Sequence, residues 1–294
     1  MKIPWVLISG CSTGIGRAAA VRLAAEGFNI IAGVRSEKDV QALAAASPDG
    51  RIVPVLLDVT DQSQITEAVA RARELSGSSG LRAVINNAGI VVAGPLEHVS
   101  AAEWRRQFDV NFFGMIELTR ATLPLLRQGV AVYGAHVPRL VFVSSMGGRV
   151  SQPGLTPYTT SKFATTALGD GLRLELRRQG IGVTVIEPGA VATAIWAKGD
   201  SAAQAFSPDR PARRLYDAEI NGLASAARRT ASKAISADHA AAVISRSLQA
   251  RRAPAHVLVG RDAKMIALLK SWLPVSWFDA ILAREFGIAG QPVS

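Results

Sequence analysis

A single cysteine, Cys11, stands among 294 residues, so no internal disulfide framework can form. Four histidines are scattered without metal-ligand spacing, and no metal is expected. Aromatic residues make up only 6%, and they do not interleave with the arginines as stacking platforms on a nucleic-acid surface do. No zinc-finger or RNA-recognition signature is present, so nucleic acid is not an expected partner. No apolar run reaches the ~18 residues of a spanning helix. The most apolar tail stretch, Met265 to Ala283, is broken by Lys270, Pro274 and Asp279. No leader is expected, because glycine and serine follow Trp5–Ile8 almost at once. These absences make the cytoplasm the expected compartment.

Hydrophobic residues reach 49% and charged residues 19%, enough to bury a full core and to exclude wholesale disorder. The net charge of +10 is uneven: residues 198–294 hold 14 basic against 8 acidic side chains. A solvated basic face accounts for it, with an anionic membrane surface or an anionic cofactor as the other candidate partners.

Apolar strand-like runs alternate with helical segments, which predicts an α/β fold with a doubly wound parallel sheet of about seven strands. The expected strands are Trp5–Ser9, Asn29–Val34, Arg51–Leu57, Ala83–Asn86, Arg139–Ser144, Gly182–Glu187 and His256–Val259. Helices are expected over Gly16–Glu26, Ser36–Ala46, Ser63–Leu75, Ala101 to about Arg127, Tyr158–Arg178 and Asp238–Leu248, with Pro124 kinking or ending the long one. Residues 195–232 show weak periodicity and read as an irregular insertion, with Trp196 and Phe206 as a candidate apolar lid. No linker separates two cores, so residues 1–294 are expected to form one domain, ending in a helical extension from about 263.

The first strand runs through Gly10, Ser12, Thr13, Gly14, Ile15 and Gly16 into a helix. Glycines at such a turn let the backbone approach a pyrophosphate, which rests on free helix N–H groups and the positive dipole end. Arg35 closes the second strand near the position that reads the adenosine ribose. A cation there can grip a 2′-phosphate, which favours NADP(H) over NAD(H), although Glu37 and Asp39 stand close by. Asp58, beside Val59 at the end of the third strand, could accept from an adenine amino group or simply form a turn. Asn86, Asn87, Ala88 and Gly89 end the fourth strand and could line the same crevice.

Tyr158 and Lys162, four apart, share one helix face. Lowering a phenol by three units from its ordinary ~10 takes roughly 4 kcal/mol. One cation ~4 Å away, at an effective dielectric of ~20, supplies about that much. Ser145 ends the fifth strand 13 residues before Tyr158, where strand C-termini open on a ligand crevice. Its neighbour Ser144 should point the other way by alternation.

With these residues in order, the chain resembles a classical short-chain dehydrogenase/reductase over residues 3 to about 260. Gly10/Gly14/Gly16, Asn86–Gly89, Asn111, Ser145, Tyr158 with Lys162, and Pro188-Gly189 each match a family motif in register. The resemblance implies a Rossmann-type domain, Tyr158 as general acid/base, and Ser145 polarising the substrate oxygen. It implies that Lys162 tunes Tyr158 and holds the nicotinamide ribose, and that Asn111 holds a water linking Lys162 to solvent. The backbone of Val191 and the hydroxyl of Thr193 would meet the carboxamide.

Pro153–Pro157, Ser161–Ala164 and Ile186–Gly189 are similar in wording to the retinol- and hydroxysteroid-dehydrogenase branch, which implies a lipophilic alcohol or carbonyl substrate. Two stretches depart from the family: Gly129–Pro138 looks long for a connection, and the tail exceeds the compact core. A homodimer or homotetramer built on Ala101–Arg127 and Tyr158–Arg178 is implied. The amphipathic tail is read first as a pocket cover or subunit contact, with a peripheral membrane contact as the alternative. The competing functional class is a protein that senses NADP on the same fold without turnover. Cys11, His98 and His239 carry no functional assignment.

Overall fold

The computed structural model describes residues 3–45, 47, 49–134, 136–192, 215–231 and 234–289. Seven strands lie in one sheet: β1 Trp5–Ile8, β2 Asn29–Val34, β3 Ile52–Leu56, β4 Ala83–Asn86, β5 Arg139–Val143, β6 Gly182–Pro188 and β7 His256–Val259. Their order is β3-β2-β1-β4-β5-β6-β7, and every pairing is parallel. The chain winds outward from β1 in one direction and from β4 in the other. The crevice therefore opens between the C-terminal ends of β1 and β4, where the winding reverses.

Both faces of the sheet are covered, so its strands read as unbroken apolar runs. Within β1, Val6 and Ile8 enter one layer and Leu7 the other. The first layer is α1 (Gly14–Ala25) with α8 (Ala237–Gln249), joined through Ala19, Ala20 and Leu23 against Ala240, Ala241 and Ile244. α2 (Glu37–Ala45) adds Leu43 to it. The opposite layer holds α3 (Gln62–Ser76), α5 (Gly114–Tyr133) and α6 (Thr156–Glu175). Local capping fixes these starts: Asp61 accepts from Ser63 N at 2.9 Å ahead of α3, and Ser100 forms a capping box with Glu103 ahead of α4 (Ala101–Phe108).

The expected helix from Ala101 to about Arg127 is instead α4, a π turn over Asp109–Phe113, and α5. Pro124 neither ends nor breaks α5, which continues to Tyr133. Pro124 and Arg120 are both exposed, so water can take the carbonyl that the missing N–H leaves. The long connection expected over Gly129–Pro138 shortens accordingly, since Gly129–Tyr133 is helical.

Part of the expected irregular stretch 195–232 is also helical, as α7 (Asp217–Ala231). Beyond β7 the chain forms α9 (Arg261–Trp272) and α10 (Val275–Glu285), separated by Leu273 and Pro274. α7 lies against the end of α10, so closely that a side chain at Gly222 would collide with the Phe286 carbonyl. Leu223 of the same helix reaches Gly154, just before α6. Together α7, α9 and α10 roof the side of the sheet where β5 ends.

Candidate active site

The three loop glycines are required for two different reasons. Gly10 and Gly14 adopt left-handed backbone, with φ of 72° and 60°. Gly16 does not; a Cβ there would collide with the Gly10 carbonyl and the Asn87 amide nitrogen. That amide donates to the carbonyls of Ser9 and Gly10, both at 3.0 Å. The Ser9 hydroxyl in turn accepts from the N–H groups of Asn87 and Ala88 at 3.1 Å. The glycine turn and the β4 end are thus laced across the crevice. Thr13 caps α1 without a side-chain bond, leaving the first-turn N–H groups of Gly14, Ile15 and Gly16 without a side-chain acceptor from that cap. Nearby, the Asp39 carboxylate accepts from Ser36 at 2.8 Å and from Ser12, which, with Arg35 beside it, holds its carboxyl below the usual range.

A cavity of about 470 Å³ is lined by Arg35, Asp58, Val59, Ile90, Val110 and Gly114. Arg35 is exposed at the end of β2. Asp58 performs the turn role as well, because its Oδ1 accepts from Thr60 N and Oγ1 at 2.9 and 2.7 Å. Val59 is buried, with α5 so near that a Cβ on Gly114 would lie 2.7 Å from it. Tight glycine backbone, a helix start without a side-chain cap bond and a cavity lined in part by Arg35, Asp58 and Val59 fit a dinucleotide.

At the expected reaction end, Ser145, Tyr158, Lys162 and Asn111 converge beyond the tips of β4 and β5. Tyr158 is buried on the first turn of α6, and its phenol is hydrogen-bonded to Ser145. A Cβ on Gly147 would lie 3.2 Å from the Tyr158 ring and 3.5 Å from the Ser145 hydroxyl. Ser144 points away as expected, bonding the Lys162 carbonyl at 3.1 Å. Lys162 donates to the Val143 carbonyl at 2.9 Å, and its nitrogen lies 5.8 Å from the Tyr158 ring centre. Asn111, in the π turn, exchanges hydrogen bonds with Ile90 N and O at 2.8 and 3.0 Å. Gly89 bridges the two: a Cβ there would lie 3.4 Å from the Asn111 amide oxygen and 3.7 Å from the Lys162 nitrogen.

One electrostatic expectation is corrected. Burial pushes the Tyr158 phenol above its ordinary value, and the counter-pull comes from Ser145 rather than Lys162. Lys162 is itself depressed to about 8, because burial disfavours its charge. Turned to a strand carbonyl and with its charge disfavoured by burial, this ammonium is a weak partner for the phenol.

The segment expected to meet the nicotinamide follows β6. Pro188 ends that strand, Gly189 N donates to the Val259 carbonyl at 2.9 Å, and buried Val191 bridges to Ile235. Thr193, Trp196 and Phe206 lie outside the described residues. Sequence reading missed two supports of this segment. Asp262, on α9, accepts from Ala190 N at 3.0 Å. Glu187, fully buried, receives a two-pronged contact from Arg149 at 2.8 Å on each oxygen, joining the turn after Ser145 to the end of β6. The signal available for Asp262 was its place just after a strand end; nothing local marked Arg149.

Sheet order, glycine turn and crevice define a Rossmann-type dinucleotide-binding protein. Residues 4–204 match the family described as short chain dehydrogenase. The chain is 34% identical over 197 residues to the NADPH-dependent 3-dehydrocapnine reductase of Ornithobacterium rhinotracheale, covering 67% of this chain and 69% of that one. To retinol dehydrogenase 16 of Mus musculus it is 38% identical over 192 residues, which cover 65% of this chain and 58% of that one. A short-chain dehydrogenase from Streptomyces avermitilis superposes with a TM-score of 0.76 at 28% identity, over 97% of both chains. The chain belongs to the classical short-chain dehydrogenase/reductase family and is an oxidoreductase acting on CH–OH groups with NAD(P).

Proposed function

We propose that this single-domain enzyme uses NADPH or NADP to interconvert a lipophilic alcohol and its carbonyl through Ser145, Tyr158, Lys162 and Asn111. The convergence of these four side chains at the switch point carries the reading. Bound nicotinamide supplies or accepts the hydride. Ser145 donates a hydrogen bond to the substrate oxygen and sets its distance from the phenol. Tyr158 gives that oxygen a proton during reduction and takes it back during oxidation. A phenol held above its ordinary value stays protonated near neutrality, which suits the donor role. Lys162, near 8, gains and loses a proton readily around neutrality and holds the nicotinamide ribose. Asn111 keeps the π turn against Ile90, where a water can pass protons between Lys162 and solvent.

Arg35 favours the 2′-phosphate, and Gly10–Gly16, Asn87–Gly89, Asp58 and Val59 hold the remainder of the dinucleotide. The reductase from Ornithobacterium rhinotracheale, NADPH-dependent by name, supports that preference. The name of the retinol dehydrogenase relative favours an apolar substrate. Exposed Phe113, Val132, Phe163 and Leu174 on the outer faces of the long helices suit a homodimer or homotetramer in the cytoplasm.

Tyr158→Phe tests the reading. Turnover of NADPH with a panel of steroid, retinoid and aromatic carbonyls should fall by about a thousandfold or more, while NADPH affinity stays within a few-fold. A parent protein that binds NADPH but turns over none of these carbonyls would favour the sensing function instead.

A further inference from the structure

The outer surface of α9 and α10 is apolar where a solvent-facing helix pair should be polar. Among the described residues, seven of the sixteen exposed large hydrophobic side chains fall within residues 265–281. Trp272 is 80% exposed, Trp277 66% and Val275 65%, gathered around the elbow at Leu273–Pro274. Met265 and Leu268 continue the strip back along α9 from Trp272 at helical spacing. The inner faces of the same helices are also apolar, with Ala263 and Phe278 packed on Met146 and Val150. The outward strip is therefore surplus to the fold.

Charge decides what it meets. The two helices carry Arg261, Lys264, Lys270 and Arg284 against Asp262, Asp279 and Glu285. Asp262 is turned to Ala190 N–H, Glu285 is held by Arg229 at 2.9 Å, and Lys270 lies over the inward Phe278 ring at 5.0 Å, which leaves Arg261, Lys264 and Arg284 against Asp279. The outward balance is positive, on a chain of net +10. Lys264 lies two turns above Trp272, about 12 Å along the helix axis at ~1.5 Å per residue. That is a suitable separation for tryptophan at the acyl boundary with an ammonium among phosphates.

We infer that the α9–α10 elbow docks peripherally on an anionic phospholipid surface, with Trp272, Val275 and Trp277 entering the interface. A second copy is a poorer occupant, because a two-fold contact through this face would bring the same cations together. Neither helix is long and apolar enough to cross a bilayer, so the contact is peripheral. The docking stands independently of the reaction assigned above. If that reaction holds, it places the turn bearing Ser145 and Met146 beside the lipid, where an apolar substrate is dissolved.

The test is co-sedimentation of the full chain, without substrate, with phosphatidylcholine vesicles and with vesicles that also contain phosphatidylglycerol. Binding should require phosphatidylglycerol, weaken with salt, and shift tryptophan emission to the blue. Trp272→Ser/Trp277→Ser should reduce partitioning roughly tenfold or more, with an unchanged thermal midpoint because both side chains are exposed. Lys264→Glu should reduce the preference for anionic vesicles. Absence of binding to either vesicle, or equal binding by the parent and the double tryptophan variant, overturns the inference. So does a dimer in sedimentation velocity that the double variant abolishes.

Discussion

The carboxylate of Asp262 accepts the N–H of Ala190 at 3.0 Å, tying the first turn of α9 to the segment that follows β6. The fit is close on both sides, since a Cβ on Gly189 or on Gly260 would collide with the same carboxylate. A helix beyond the last strand thus holds the backbone assigned to the nicotinamide. A hydrogen bond to a charged group contributes about 1.5–3 kcal/mol. Asp262→Ala should therefore raise KM for the cofactor about tenfold with a smaller effect on kcat, and Asp262→Asn should recover part of the loss. Steady-state kinetics with varied NADPH will read the split.

Arg35→Ala should weaken NADPH about tenfold to a hundredfold through loss of charge-assisted contacts to phosphate. NADH affinity should change little. Calorimetric titration of both cofactors distinguishes this from a general loss of binding, and equal losses would remove Arg35 from the phosphate site.

Lys162 makes the cofactor-free protein sensitive to alkaline pH. Its folded value of about 8 lies below the 10.5 of an ordinary lysine. Between these values the unfolded chain holds a proton that the folded chain has lost, so stability rises with pH through that window. The limiting slope from this one group is about 1.4 kcal/mol per pH unit. The buried Cys11 thiol, pushed well up by burial, acts in the opposite sense above about pH 9. The informative measurement is the difference in urea stability between the parent and Lys162→Met. That difference should favour the variant most below pH 8 and shrink as pH rises, while the variant loses turnover.

Gly16→Ala should abolish cofactor binding while leaving a folded protein. The added methyl meets the Gly10 carbonyl and the Asn87 amide, and relief requires opening the glycine turn away from β4. Circular dichroism should remain native-like as cofactor affinity falls below detection. By contrast, Gly27→Ala meets no neighbouring atom but sits at φ 93°, so its cost should appear as stability alone.

Much of this was legible in the chain itself, because local backbone physics is written in neighbouring residues. Apolar runs punctuated by glycine marked all seven strands, and the expected bounds of β2, β4 and β7 coincide with those observed. Spacing of four put Tyr158 and Lys162 on one helix face, and alternation separated Ser145 from Ser144. The α4–π–α5 path resisted such reading, because whether Pro124 ends a helix depends on which way its vacant carbonyl faces. That direction is a property of packing.

The amino-acid order alone determined the alternation of strands and helices, the glycine turn, and the set of residues proposed for the proton chemistry. These depend on contacts a few residues apart. Tertiary structure decided how strongly each group holds its proton, since burial depressed Lys162 and raised Tyr158, contrary to a calculation from their spacing. It also brought Asp262 to Ala190 and Arg149 to Glu187, and left two tryptophans uncovered on the final helices. Desolvation and contacts between distant segments exist only once the sheet has closed around them.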